Sequence, residues 1–471
     1  MTRMVNTTVN KKGSPQEVVE RGLAAAGDSP CVVIVSETQS VNLRWAINGL
    51  TTNGVSTGRS VTAIVVAAVP GGAAVGSLTR SAIGVEEVAG LVRDAAAQAA
   101  GAPAAEDAAE LVAGTAAADW ADPAAGTGPQ VLSGFAADLG EALRAGAAQQ
   151  RESFGFAEHK VVTSWLGTSA GTRLRQALPV GVVEITGKSH GRSRSTWISR
   201  TTRDFTDVDV AALDAEVAQR LDWQARRLEL APGRYDTVLP PSAVADLLIY
   251  AYWSSDARSA YEGRSVYSRP GGGTRVGDQL TDVPLTLFSD PAYPGLEAAT
   301  HVIARSTWPF ASVFDNGMPT PAQTWLDRGR LAALPSTRHT AALSGLPVTP
   351  PVDNLVLTGE GGSGSALELC AGLERGLLLT SLWYIREVDP MTLLLTGLTR
   401  DGVYLVEGGE VIGAVGNFRF NDSPVDLLRR VRAVGDTEIT LSREWSENFP
   451  RTAMAPLLVE GFSFTGSSEA S

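Results

Sequence analysis

Apolar residues recur along this chain in two rhythms. Short runs suit strands, and longer segments with apolar residues every three or four positions suit helices. Ser14-Pro15-Gln16-Glu17 sets an N-cap residue, a proline and an acidic first turn ahead of QEVVERGLAAA, which predicts a helix there. Three strand-like runs follow: CVVIVSE, SVNLRWAI and SVTAIVVAAV. Between the last two, Asn48-Gly49 and Asn53-Gly54 both read as turn signals. The helical pattern VEEVAGLVRDAAAQAA closes a first α+β domain, predicted over residues 14–105. Residues 94–126 are rich in alanine and broken by Gly101, Pro103, Gly114 and Pro123. This composition suits either a linker or one or two short surface helices.

A middle region over 106–233 begins with the helical pattern FAADLGEALRAGAAQQRES. HKVVTSWLG, TRLRQALPVGVVEITGKS and RSRSTWISRTTRDF then read as successive strands of an antiparallel sheet. The helix VAALDAEVAQRLDWQARRLEL runs to Pro232-Gly233. From 234 to 471 the pattern is strand-rich, with many Gly and Pro turns and few helices. One helix stands out: after Pro240-Pro241, ADLLIYAYW is apolar nearly throughout and predicts a core helix. The expected fold class is α+β: an N-terminal α+β domain, a middle antiparallel sheet with helices, and a strand-rich C-terminal domain.

Length and charge narrow the function classes. A chain of 471 residues exceeds one ordinary core. Its 44% hydrophobic residues suffice to fold it, and the net charge of −12 speaks against a nucleic-acid partner. No run approaches the roughly 20 apolar residues of a membrane span, so no membrane association is expected. The N-terminus MTRMVNTTVNKKGSPQEVVE lacks the apolar core of a signal peptide. The expected location is cytoplasmic. Cys31 and Cys370 are too few for a disulfide framework and are expected to be buried thiols.

Three short patterns carry a functional suggestion. Gly167-Thr168-Ser169-Ala170-Gly171 fits G-x-S-x-G, but a nucleophile elbow needs a helix after the serine. The segment that follows alternates like a strand, so a hairpin turn is expected. GVVEITGKS ends like a phosphate-binding loop, yet Val182 stands where that loop needs its first glycine. TGEGGSGS, with Gly359, Glu360, Gly361, Gly362 and Gly364, reads as a flexible connection. The four histidines, His159, His190, His301 and His339, show none of the close ligand spacing of a zinc site.

Longer stretches are similar to the TldD and TldE/PmbA proteins. SVNLRWAINGLTTNGVSTGRSVTAIVVA resembles their first domain, and TSWLGTSAGTRLRQALPVGVVEI their middle sheet. GLLLTSLWYIREVDPMTLLLTGLTRDGVYLVEGGEVIGAVGNFRFNDSPVDLLRRVRAVGD resembles their C-terminal pattern through Thr396, Gly397, Arg400, Gly402, Gly409, Glu410, Asn417, Phe418 and Gly435. PLLVEGFSFTG resembles their closing strand. In the TldD branch a helix carries HExxxH, and a cysteine nearer the C-terminus completes the zinc site. Here that motif falls on Ile249, Tyr250 and Ser254, and residues 243–262 contain no histidine. The segment TLSREWSENFPRTAMAP, where the cysteine falls, has none.

The resemblance therefore implies the TldE/PmbA branch, with no catalytic residues, no metal ligands and no cofactor of its own. It implies a non-catalytic subunit that pairs with a TldD-like zinc metallopeptidase to process peptides or unfolded protein segments. A homodimer is the alternative assembly for the isolated chain. Two other functions remain open from sequence: a stand-alone peptide-binding or scaffold protein, and a peptidase with non-metal chemistry, for which Ser169 is the candidate.

Overall fold

The computed structural model describes residues 12–468; the first eleven residues of the N-terminal stretch lie outside them. Helix α1 (Pro15–Ala26) starts at a reciprocal capping box between Ser14 and Glu17. Strands β1 (Cys31–Ala46), β2 (Gly49–Val69) and β3 (Gly72–Ser81) follow, then helix α2 (Val88–Ala100). After helix α3 (Ser133–Ala148) come β4 (Arg151–Thr168), β5 (Arg173–Ser189), β6 (Arg194–Thr202) and helix α4 (Val210–Trp223). All six strands form one antiparallel sheet in the order β3-β2-β1-β4-β5-β6. Because β1 pairs with β4 from Val32–Thr168 to Trp45–Gly155, residue 105 falls between strands of a single sheet.

Several local expectations are corrected. CVVIVSE and SVNLRWAI form one strand, β1, buried on both faces over its first half. One face packs on α1 and α2, and the other around Val313 and Phe314, which explains the unbroken apolar run. The β1–β2 turn is at Ile47-Asn48, both at positive φ (50° and 60°). Asn53-Gly54 lies inside β2, opposite Leu43 and Asn42, so it is no turn. Helix α3 ends at Ala148; Gln149 and Gln150 form a turn, and Arg151-Glu152-Ser153 already belong to β4. Helix α4 stops at Trp223 rather than running to Pro232. Residues 101–128 contain no helix, yet they are tied down: Gln16 of α1 donates to the Trp120 carbonyl at 2.9 Å, and Thr172 of the β4–β5 turn to that of Val112 at 2.8 Å. The glycine-rich stretch is likewise pinned. Gly364 N–H donates to Asp436 at 3.0 Å, and Ser365 with Glu368 forms a second capping box on a short helix, Ala366–Ala371.

The C-terminal half begins with β7 (Gly233–Leu239) and helix α5 (Pro241–Trp253). It contains a nine-stranded and a second six-stranded sheet. β7 lies inside the nine-stranded sheet, between Leu457–Ser468 and Arg375–Leu379. Nine of the thirteen residues of α5 are buried. They share one core with Leu377, Phe418 and Phe420 of the nine-stranded sheet and Leu285, Leu326 and Met454 of the other. A helix apolar on nearly every side is stable only when enclosed in this way.

Candidate functional site

Helix α5 meets the segment 440–456, which is distant in sequence but packs along it. Trp445 is the hinge of the contact. Its ring lies 5.6 Å from that of Tyr250 and 5.1 Å from that of Trp253, and its Nε1 donates to the Asp246 carbonyl at 2.8 Å. Phe449 adds ring contacts to Tyr252 at 6.0 Å and Trp253 at 6.1 Å. The two segments to which the sequence resemblance assigns the TldD-branch zinc motif are thus side by side.

The side chains at those positions do not suit zinc. Ile249 is fully buried in the apolar core and has no donor atom. Tyr250 is partly buried; burial, and then the nearby Glu387 charge, push its phenol above the usual range, away from the phenolate. Ser254 closes the helix, its Oγ donating to the Tyr250 carbonyl at 2.9 Å. In the second segment Trp445 and Phe449 face the helix, and neither ligates. Catalytic zinc takes about three nitrogen, sulfur or carboxylate ligands, and this donor set cannot provide them. Among the described residues no three His, Cys, Asp or Glu gather into a metal-holding group.

The histidines serve other roles. His159 is held between Thr127 Oγ1 at 2.6 Å and the Arg203 carbonyl at 2.9 Å. His339 Nε2 lies 3.0 Å from Arg258 Nη1, and His190 sits in the β5–β6 hairpin beside Ser189. His301 is buried with Nε2 unpartnered, and burial lowers its pKa to about 4. Ser169 lies in the turn between β4 and β5. Its Oγ accepts the Cys31 N–H at 3.0 Å, and a strand follows, so the geometry of a nucleophile elbow is missing. Lys188 and Ser189 belong to β5, with no helix after them to face a phosphate.

A buried polar cluster beside α5 was not singled out from sequence. Asp246 is fully buried; Oδ1 accepts the Glu444 N–H at 2.9 Å and Oδ2 has no partner. Burial raises its pKa well above the carboxylate range. The Glu444 N–H bond opposes that rise, and the Glu444 charge adds to it. The Glu444 carboxylate accepts the backbone N–H groups of Tyr384 at 2.9 Å and Ile385 at 3.2 Å. Arg443 lies between the rings of Trp197 and Trp383, 5.1 Å from each, and donates to Asp401 at 2.8 Å. The one sequence signal for this cluster was an aspartate inside the apolar run ADLLIYAYW.

Residues 232–466 match the model of the PmbA/TldA metallopeptidase C-terminal domain. The chain belongs to the PmbA/TldD family. No curated protein matches it in sequence. Among solved structures it is similar to TldE from Thermococcus kodakarensis, with 15% identity over 96% of this chain and 99% of that one and a TM-score of 0.75. A candidate modulator of a DNA gyrase from Thermotoga maritima aligns with 17% identity over 96% and 100% of the two chains, TM-score 0.74. A similarly described protein from Bacteroides thetaiotaomicron gives 14% identity over 96% and 98%, TM-score 0.69. At these identities the likeness establishes the fold: a PmbA/TldD-type mixed α+β architecture over nearly the whole chain. Among the described residues no helix is long and apolar enough to cross a membrane.

Proposed function

We propose that this PmbA/TldD-family chain is the metal-free, non-catalytic subunit of a two-chain cytoplasmic peptidase of TldD/TldE type. A TldD-like partner supplies zinc, the general base and the nucleophilic water; this chain completes the chamber and helps hold an extended peptide or unfolded segment. The observation that carries the reading is the packing of α5 against segment 440–456, with Ile249, Tyr250 and Ser254 where ligation would require histidines and a carboxylate, and no cysteine in that segment. Such a pair of segments, filled with packing side chains, gives structure without hydrolysis.

Support for strand addition comes from β2. Its partner β3 covers only residues 60–69, so residues 49–58 present an open edge without Lys, Arg or Pro to block pairing. Ile47, Leu50 and Val55 are exposed along this hairpin. The test is affinity capture of the chain at its native level, with identification of what remains bound after a high-salt wash. Recovery of a relative carrying HExxxH in a fixed ratio is expected; recovery of the chain alone, as monomer or homodimer, would refute the pairing.

A further inference from the structure

A cleft of about 1110 Å³ opens between the β5–β6 hairpin and the nine-stranded sheet. Its walls carry five cationic side chains, Lys188, Arg192, Arg227, Arg400 and Arg443, against two carboxylates, Glu229 and Asp401. The chain as a whole has a net charge of −12, so this local excess is opposite in sign to the rest of the molecule. Clefts with low-dielectric walls concentrate such a field.

Local pairing leaves much of the charge uncompensated. Arg443 donates to Asp401 at 2.8 Å and Arg400 Nε lies 3.5 Å from the same carboxylate, so one anion serves two guanidinium groups. Arg400 Nε is buried and has no hydrogen-bond acceptor among the described residues. Glu152 holds Arg192 at 2.7 Å. Lys188, directly across the β4–β5 ladder from Glu152, has no hydrogen-bond or ion-pair partner for its ammonium among the described residues. Among the described residues the Arg227 side chain donates only to the Ser193 carbonyl, at 2.6 Å.

The arrangement selects the class of ligand. The cations come from separate parts of the chain, with Lys188 and Arg192 on the β5–β6 hairpin, Arg227 after α4, and Arg400 and Arg443 further on, which suits several anionic groups spaced along one ligand better than a single phosphate. The volume exceeds the roughly 300–1,000 Å³ of ordinary small-molecule sites. A nucleic acid long enough to fill the cleft would continue over a molecule of net negative charge. We infer that the cleft binds an acidic peptide segment, whose side-chain carboxylates pair with Lys188, Arg227 and Arg400. The choice of a peptide rests on the peptide-holding role proposed above. The test needs only the isolated chain, so failure to pair with a partner subunit would not be confused with failure here.

The experiment is fluorescence anisotropy with a labelled extended peptide bearing four glutamates, beside the same peptide with glutamine or lysine in their place. The glutamate peptide should bind at least about tenfold more tightly than either control and weaken as salt rises from about 0.05 to 0.3 M. Lys188→Glu with Arg227→Glu should weaken it by about tenfold or more, and Lys188→Gln alone by a smaller factor. The thermal midpoint should stay near that of the parent, because the groups removed hold at most one carbonyl. Equal affinity for the glutamine peptide, unchanged affinity in the charge-reversed variant, tighter binding of a short oligonucleotide, or displacement by inorganic phosphate beyond an ionic-strength control would each overturn the inference.

Discussion

Introducing Ile249→His, Tyr250→Glu and Ser254→His together writes HExxxH onto α5 and asks whether the helix is a disabled metal site or packing material. The cost follows from each position. Ile249 is fully buried, so its loss removes about 1.5–3 kcal/mol of apolar burial, and an unpaired imidazole there adds about 1–3 kcal/mol. Tyr250→Glu removes the ring pair with Trp445, worth about 0.5–1.5 kcal/mol, and brings a carboxylate toward Glu387, whose own ionisation is already opposed by burial. Ser254→His removes the hydroxyl bond to the Tyr250 carbonyl, another 0.5–1.5 kcal/mol or so. The total, about 4–9 kcal/mol, is a large share of the roughly 5–15 kcal/mol that holds a domain together. Chemical denaturation should show a strongly lowered midpoint or no cooperative transition, and elemental analysis no tightly held zinc, since segment 440–456 still has no cysteine and its Glu444 carboxylate is engaged by the Tyr384 and Ile385 N–H groups. Ile249→His alone should account for about two-thirds of the loss. A triple variant with the parent's midpoint and one tightly bound zinc per chain would refute the reasoning.

Other groups give independent tests. Asp246 has a folded pKa raised by burial, so its ionisation lowers stability as pH rises through that folded value; Asp246→Asn should therefore gain on the parent at pH 8, with the gap closing toward pH 4 in denaturation midpoints. His301 is lowered to about 4, so the parent should lose stability as pH falls from about 6.5 toward 4, and His301→Gln should flatten that limb of the curve. Cys31 and Cys370 are buried, with thiols pushed up to about 12; neither should react with a disulfide reagent at pH 8 until the protein is unfolded, and rapid labelling of the native chain would contradict their burial.

What could be read from sequence depended on whether the signal was local. The capping residues of α1, the doubly buried run CVVIV and the nearly all-apolar α5 were legible because neighbours in sequence determine them. β3 was not, because α2 crosses it so closely that a Cβ on Gly76 would come 1.9 Å from the Ala95 carbonyl oxygen. The strand is consequently built from small residues with little apolar rhythm. Asn53-Gly54 misled because the long pairing of β2 with β1 overrides a local turn preference. At the candidate site the lack of histidines and cysteine was visible in sequence. The contact of Trp445 with Tyr250 and Trp253, and the enclosure of Asp246, depend on a meeting of segments nearly two hundred residues apart. The cationic cleft is likewise tertiary: its charges are scattered singly along the chain.

The central claim is that this chain contributes structure and substrate contacts but no hydrolytic chemistry. Its most direct test is turnover of an unfolded protein and a quenched fluorescent peptide by the purified chain, by a zinc-loaded HExxxH-bearing relative, and by the two mixed. The account predicts no turnover by this chain alone, with Ser169→Ala changing nothing, and turnover by the mixture above that of the relative alone. Hydrolysis by the isolated chain that is lost on Ser169→Ala, or a mixture no more active than the relative by itself, would contradict it.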